Sequence, residues 1–283
     1  MKILIYIGDL ITDIPGLFLG ELLAHALQAE VTLLHVTPKI KKKKKERKSG
    51  EEILDQARKR MGDLSVETHL RRGKVAQKIM SEVQEGQHDM VVITASRIGM
   101  YPRNLSISRE TLSRMPCCVL IAKNPKPEIK RILMCTGGLR ISESMIQVGA
   151  KIASALGAKV TLMHVAAHVP SMYTGLETIE ETMAELLQTD TPVAKHFRRC
   201  AQTLAKYGVD SELKLRHGEA VFEIAREMDV MDYDLAILGA SGATTSLKEW
   251  FMGNITKDII DLVGIPVMVV NQIHASKMSD LEV

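Results

Sequence analysis

The sequence predicts two tandem domains of doubly wound α/β architecture, each on a five-stranded parallel sheet. Three observations carry that expectation: an internal repeat, short aliphatic runs alternating with amphipathic stretches, and a shortage of aromatic residues. Residues 2–36 align without a gap on residues 131–165. Lys2-Ile3-Leu4 falls on Arg131-Ile132-Leu133, Gly8 on Gly137 and Gly20 on Gly149, and Leu34-His35-Val36 falls on Met163-His164-Val165. A second block sets 70–94 on 215–239, where Arg71-Arg72-Gly73 faces Arg216-His217-Gly218 and Asp89 faces Asp234. Pro116, ahead of Cys117 to Ile121, matches Pro266, ahead of Val267 to Val270. Blocks repeated in one order mark a tandem duplication. The seam falls at Asn124-Pro125-Lys126-Pro127, a linker composition, so the expected domains are 1–126 and 127–283.

The elements follow in order within the second repeat. Aliphatic runs of strand length fall at 131–136, 160–165, 211–215, 234–239 and 266–270. Between the first two, Met145, Val148, Ile152 and Ala155 recur at helical spacing, as Ala220, Ile224 and Met228 do further on. A long acidic stretch, Ala166 to Pro192, predicts a helix around 176–188 that would cover its own domain's edge or meet a basic loop. In the first repeat, Ile53, Leu54, Ala57 and Met61 mark the helix after the second strand, and 117–122 mark the last strand. Strands joined by helical crossovers imply a parallel sheet buried on both faces, which demands near-continuous aliphatic runs.

Composition narrows the function classes. Apolar residues at 46% and charged residues at 25% are ordinary for a globular chain. Aromatics at 4% with 16 Met mean aliphatic cores and few platforms for stacking single-stranded nucleic acid. No apolar run approaches the roughly 20 residues that span a bilayer. Gly8 and Asp9 arrive too early for a signal-peptide core, so a soluble cytoplasmic protein is expected. Cys117, Cys118, Cys135 and Cys200 lack C-x-x-C spacing and read as buried thiols. Net charge is +3, yet residues 1–129 carry 22 basic and 15 acidic side chains against 15 and 19 in the remainder. The run Lys39 to Lys48 supplies that excess. It reads as a solvated crossover loop, with nucleic acid or an anionic membrane as the weaker readings.

In open α/β sheets ligands bind beyond the carboxyl ends of strands where the order reverses, which points to the loops after Thr136 and Leu238. The second of these reads Gly239-Ala240-Ser241-Gly242, then Ala243 to Met252, then Gly253-Asn254-Ile255-Thr256 ahead of a helix at about 254–262. Glycine lets backbone approach a phosphate and a helix N-terminus offers unpaired N–H groups, although glycine loops also serve as plain turns. Trp250 and Phe251 would pack the loop down, and His217 would lie exposed on the same edge. His35 and His164 read as strand histidines satisfied by backbone.

The glycine loop resembles the G-x2-G-x9-G-(S/T) ATP-binding signature of the universal stress protein family. Leu34-His35-Val36, Met163-His164-Val165 and the closing Gly264-Ile265-Pro266-Val267-Met268-Val269-Val270 are also similar to that family's strands. The resemblance spans almost the whole chain as two family domains of adenine nucleotide alpha hydrolase-like fold. It implies ATP, with Mg accompanying the nucleotide, held in the second domain by Gly239, Gly242, Gly253, Asn254 and Ile255, with Thr136 and Val165 bordering the base. Three departures stand out: a ten-residue spacer instead of nine, Asn254 for Ser or Thr, and Thr136 where ATP-binding members carry Asp. Repeat one has Thr94-Ala95-Ser96-Arg97 in place of the leading glycines and Ile7 at the position of the Asp, so no ATP is expected there.

The resemblance further implies pairing through the last strands, making the repeats an internal pseudo-dimer, with a homodimer as a further expectation. No catalytic constellation is visible, so hydrolysis would be slow at most. The expected function is a stress-response module binding ATP or a related nucleotide. Its rival is a non-nucleotide scaffold of the same fold acting through an unidentified protein partner. An enzyme related to PP-loop pyrophosphatases, faintly echoed at Thr136 to Ser142, lacks the needed Asp.

Overall fold

Strand β1 (Lys2–Tyr6) is apolar from Ile3 onward and buried from Ile3 to Tyr6, as a strand covered on both faces must be. The computed structural model describes residues 1–37, 49–98, 107–108, 111–112, 114–136, 142–166, 182–239 and 254–271. After β1 come α1 (Ile14–Leu27), β2 (Glu30–Thr37), α2 (Gly50–Arg60), β3 (Val66–Arg72), α3 (Val75–Glu85), β4 (Met90–Thr94) and β5 (Cys118–Ala122). Pro15 pre-sets the first turn of α1, and Gln28 in the left-handed region ends it. Ser49 and Glu52 form a capping box that starts α2.

The second unit runs β6 (Arg131–Thr136), α4 (Ser142–Leu156), β7 (Lys159–Ala166), α5 (Met183–Gln188), α6 (Pro192–Lys206), β8 (Ser211–His217), α7 (Ala220–Val230), β9 (Leu235–Gly239) and α8 (Asn254–Leu262). Strand β10 (Val267–Val270) is the last element among the described residues. The helix expected around 176–188 is seen from Met183, after a Thr182/Glu185 capping box; 167–181 lie outside the described residues. Helix α6 is absent from the sequence expectations, although Thr191 as N-cap and Pro192 at N1 are a helix-start signal.

Two compact units result: Met1–Lys126 with Gly264–Val283, and Pro127–Val263. In the first, the strand order is β3-β2-β1-β4-β5-β10, parallel through β5, with β10 antiparallel to β5 through Val267↔Ile121 and Val269↔Val119. In the second, four parallel strands lie in the order β9-β6-β7-β8. Both are doubly wound α/β sheets. The run at 266–270, expected as the last strand of the second repeat, pairs antiparallel with β5, whose backbone would otherwise be a bare edge. Asn271 anchors its end, donating from Nδ2 to the carbonyls of Met115 (2.8 Å) and Cys117 (3.1 Å).

The repeated residues repeat their work. Asp89 accepts from the Lys2 N–H at 2.8 Å, and Asp234 accepts from Lys130 and Arg131 at 2.8 and 2.9 Å, tying the first and fourth strands together at their starts. A Cβ on Gly20 would come within 2.4 Å of Ile5 Cδ1, and one on Gly149 within 2.3 Å of Met134 Cε, so each helix rests directly on its first strand. All four cysteines are buried free thiols. Burial pushes Cys118 and Cys200 up to about 12.

Candidate functional site

Strand order reverses between β1 and β4 in the first unit and between β6 and β9 in the second. At the second reversal, Thr136 ends β6, facing His164 on β7, while its neighbour Cys135 faces Leu238 on β9. Thr136, Val165 and Gly239 therefore stand at the carboxyl ends of three adjacent strands. Asn254 and Ile255 open α8, where the sequence expects a helix start. Gly242 and Gly253 lie outside the described residues, as do Trp250, Phe251 and the basic run Lys39 to Lys48. His217 ends β8, half-buried. Of the acidic stretch, Glu185 is spent on the α5 cap and Asp190 pairs with Lys195 at 2.8 Å.

Thr136 is 5% exposed, and each of its oxygens has a histidine partner. Its carbonyl accepts from His164 Nδ1 at 2.9 Å, and Oγ1 lies 3.4 Å from Nε2 of His196 on α6. A carbonyl can only accept, so the proton sits on Nδ1 of His164. His35 does the same for Ile7 at 2.8 Å in the first unit. Both histidines thus hold the end of the first strand to the second, as the sequence reading expects. His196 Nε2 also lies 3.4 Å from Cys200 Sγ, and the Phe197 ring meets His164 edge-on at 5.9 Å. Burial, reinforced by Arg199, lowers the His196 pKa and keeps that ring neutral. Sequence inspection passes over this His196–Phe197–Cys200 group; its signal is the i, i+1, i+4 apolar face that α6 buries.

The first unit presents a different edge. Ile7 stands where the second unit has Thr136, and Arg97 stands where the alignment puts Gly242. A short 3₁₀ turn, Ala95–Arg97, carries the Arg97 side chain back over the β1–α1 loop. Its Nε donates to both oxygens of Asp13 at 3.0 and 3.1 Å, and Nη2 donates to Asp13 at 2.7 Å, Asp9 at 2.5 Å and Thr12 Oγ1 at 2.8 Å. Asp13 is fully buried and also accepts the N–H groups of Gly8 (2.6 Å) and Asp9 (2.9 Å). It precedes α1 without capping it, because its carboxylate is committed to these donors. The guanidinium lies so close to Gly8 that a Cβ there would meet Arg97 Cζ at 2.7 Å. Burial pushes the Asp9 pKa up, but hydrogen bonds from Thr12, Ile11 and Arg97 outweigh it and hold it at about 2.

The strand ends differ in openness as well. Val165 and Gly239 are half-buried, whereas their counterparts Val36 and Thr94 are buried. The first edge is occupied by its own Asp13 and Arg97 side chains. At the aligned position the second repeat's sequence has Gly242 in place of that arginine.

Comparison with known proteins agrees with this division into halves. The universal stress protein family matches at residues 17–123 and again at 128–271. A functionally unknown protein from Pseudomonas aeruginosa PAO1 superposes with a TM-score of 0.69 at 20% identity, over 99% of this chain and 96% of that one. A putative universal stress protein from Pseudomonas aeruginosa UCBPP-PA14 gives the same figures. A universal stress protein from Archaeoglobus fulgidus DSM 4304 gives 0.68 at 14% identity, over 95% and 96% of the two chains. No curated protein matches. The solved structures share the fold, and the two family matches, covering most of the sequence, establish that this chain belongs to the universal stress protein family as a tandem pair of its domains.

Proposed function

We propose that this chain is a stress-response module that binds one adenine nucleotide, ATP or a relative, at the carboxyl edge of β6, β7 and β9. The observation that carries the reading is the contrast at one aligned position: Arg97 fills the first unit's edge, and Gly242 stands in its place in the second. Gly239, Gly242, Gly253, Asn254 and Ile255 would hold the phosphates and ribose, and Thr136 and Val165 would border the base. Bound Mg-nucleotide would supply an electrophilic phosphoryl group, and the chain supplies backbone donors and shape around it. No described residue stands ready as a general base beside Thr136, since His196 is neutral but already engaged. Hydrolysis at this site is part of the proposal only as a slow reaction. The proposed place of action is the cytoplasm; no described helix is long and apolar enough to cross a membrane.

A second reading, a scaffold that binds no nucleotide, is favoured by Thr136 itself, which offers no carboxylate and turns its hydroxyl to His196. Calorimetric titration of the full chain with Mg-ATP separates the two. One site per chain is expected, with Gly242→Arg weakening it at least about tenfold by installing the first unit's plug, a loss of about 1.4 kcal/mol. Thr136→Asp is expected to tighten binding. No heat of binding at millimolar ATP would give the scaffold the better claim, and two sites per chain would contradict the asymmetry.

A further inference from the structure

The Arg97 cluster does more than fill space, because its geometry is that of a site with its ligand in place. Two consecutive backbone N–H groups, from Gly8 and Asp9, converge on one oxygen of Asp13, and a guanidinium spans both oxygens from the other side. Converging amides with an arginine fork are what a protein presents to the carboxylate or phosphate of an outside ligand. Here the anion comes from the chain itself. The cluster bridges the two strand ends flanking the reversal, since Gly8 follows β1 and Arg97 follows β4.

The repeat shows that this arrangement is an addition and not part of the frame. Residues that build the frame recur in both halves: Gly8 and Gly137, His35 and His164, Asp89 and Asp234. The three charged groups of the cluster do not. Asp9 aligns with Gly138, Asp13 with Ser142 and Arg97 with Gly242. The same series of strands and helices forms in the half whose sequence has Gly, Ser and Gly at these positions, so the frame does not depend on Asp, Asp and Arg.

We infer that Asp13 is an internal ligand, clamped by Arg97, which keeps the first unit's crevice permanently closed and denies it to outside anions. Asp9 completes the clamp: it accepts from Ile11 and Thr12 N–H at 3.0 and 2.8 Å and pairs with Arg97. This rests on the nucleotide reading only for what is denied entry; the closure itself stands on the cluster.

Four amides report on it directly, those of Gly8, Asp9, Ile11 and Thr12, because each donates to a carboxylate of the clamp. Hydrogen exchange on the full chain, with no nucleotide present, is the test. The triple variant Asp9→Gly, Asp13→Ser, Arg97→Gly carries the second repeat's residues at all three positions and is expected to speed exchange at these amides by more than about tenfold while β2 and β3 stay unchanged. Inorganic phosphate, against chloride at matched ionic strength, is expected to restore protection in the variant and to leave the wild type unaffected. Unchanged exchange in the variant, or phosphate protecting the wild type as much, would overturn the inference. So would a folded variant indifferent to phosphate. Should the triple variant fail to fold, Arg97→Lys keeps the charge and loses the fork; intermediate exchange at the Gly8 and Asp9 amides supports closure, and wild-type exchange there overturns it. No ATP enters the measurement, so failure of nucleotide binding in the second unit leaves its outcome readable.

Discussion

Glu227 shows how a single buried charge is made tolerable. Its carboxylate is fully buried and receives Lys214 Nζ at 2.6 Å, Arg216 Nη2 at 2.7 Å and Tyr233 OH at 2.9 Å. Glu82 takes the same role in the first unit, between His69 and Arg71, so the aligned glutamates are one device used twice. Burial pushes the Glu227 pKa up, but the hydrogen bonds from Lys214, Arg216 and Tyr233 prevail and hold it below the usual carboxylate range. A carboxyl with a folded pKa below its unfolded value of about 4.3 adds stability above that value and loses it as pH falls toward the folded pKa. Unfolding free energy should therefore stay level above about pH 5 and decline below about pH 4, with Glu227→Gln making that decline shallower. Urea titrations across that range check it; an acid limb identical in the variant would contradict the assignment. Glu227→Ala should cost roughly 2–4 kcal/mol at neutral pH, the lower part of the buried-pair range because Lys214 and Arg216 still reach water.

At the scale of elements, the repeat's paired glycines set how closely each first helix approaches its first strand. The two contacts are alike in distance and unlike in what must give way. Opposite Gly20 is Ile5, whose branched side chain presents both Cδ1 at 2.4 Å and Cγ1 at 2.9 Å to an added Cβ. Opposite Gly149 is Met134, which meets the added Cβ with its flexible thioether end. An isoleucine is stiff at χ1 and a methionine adapts. Alanine also gains up to about 1 kcal/mol of helix propensity over glycine. Gly149→Ala should therefore be near neutral and Gly20→Ala destabilising by about 1–3 kcal/mol in thermal or urea unfolding. Equal losses would show that helix–strand spacing is set elsewhere.

For the whole molecule, the placement of β10 matters most. The last strand of the second repeat completes the first unit, so a fragment ending at Lys126 would carry β5 with one side unpaired. Such an apolar strand with an unpaired edge is a template for another chain. The fragment 1–126 is expected to self-associate with rising concentration in light scattering after size exclusion; a fragment that stays monomeric throughout would deny β10 that covering role. The duplication, the strand runs, the start of α8 at Asn254 and the histidine–backbone contacts were legible in the sequence. Each depends on periodicity or on residues near one another along the chain, and the duplication supplied two readings of every signal. Helix α6 was signalled by Thr191-Pro192 yet hidden by the acidic stretch before it. The clamp was out of reach, because Asp13 and Arg97 stand 84 residues apart and each alone is an ordinary charged loop residue. By itself the sequence determined the architecture of both halves and the asymmetry of their glycine loops, since local propensity and burial pattern are written residue by residue. Only the tertiary structure decided that one half is filled by its own carboxylate, and it fixed the register in which the last strands pair. Hydrogen bonds between distant side chains and the pairing of strand edges arise when folding brings those groups within reach, and no local pattern encodes that proximity.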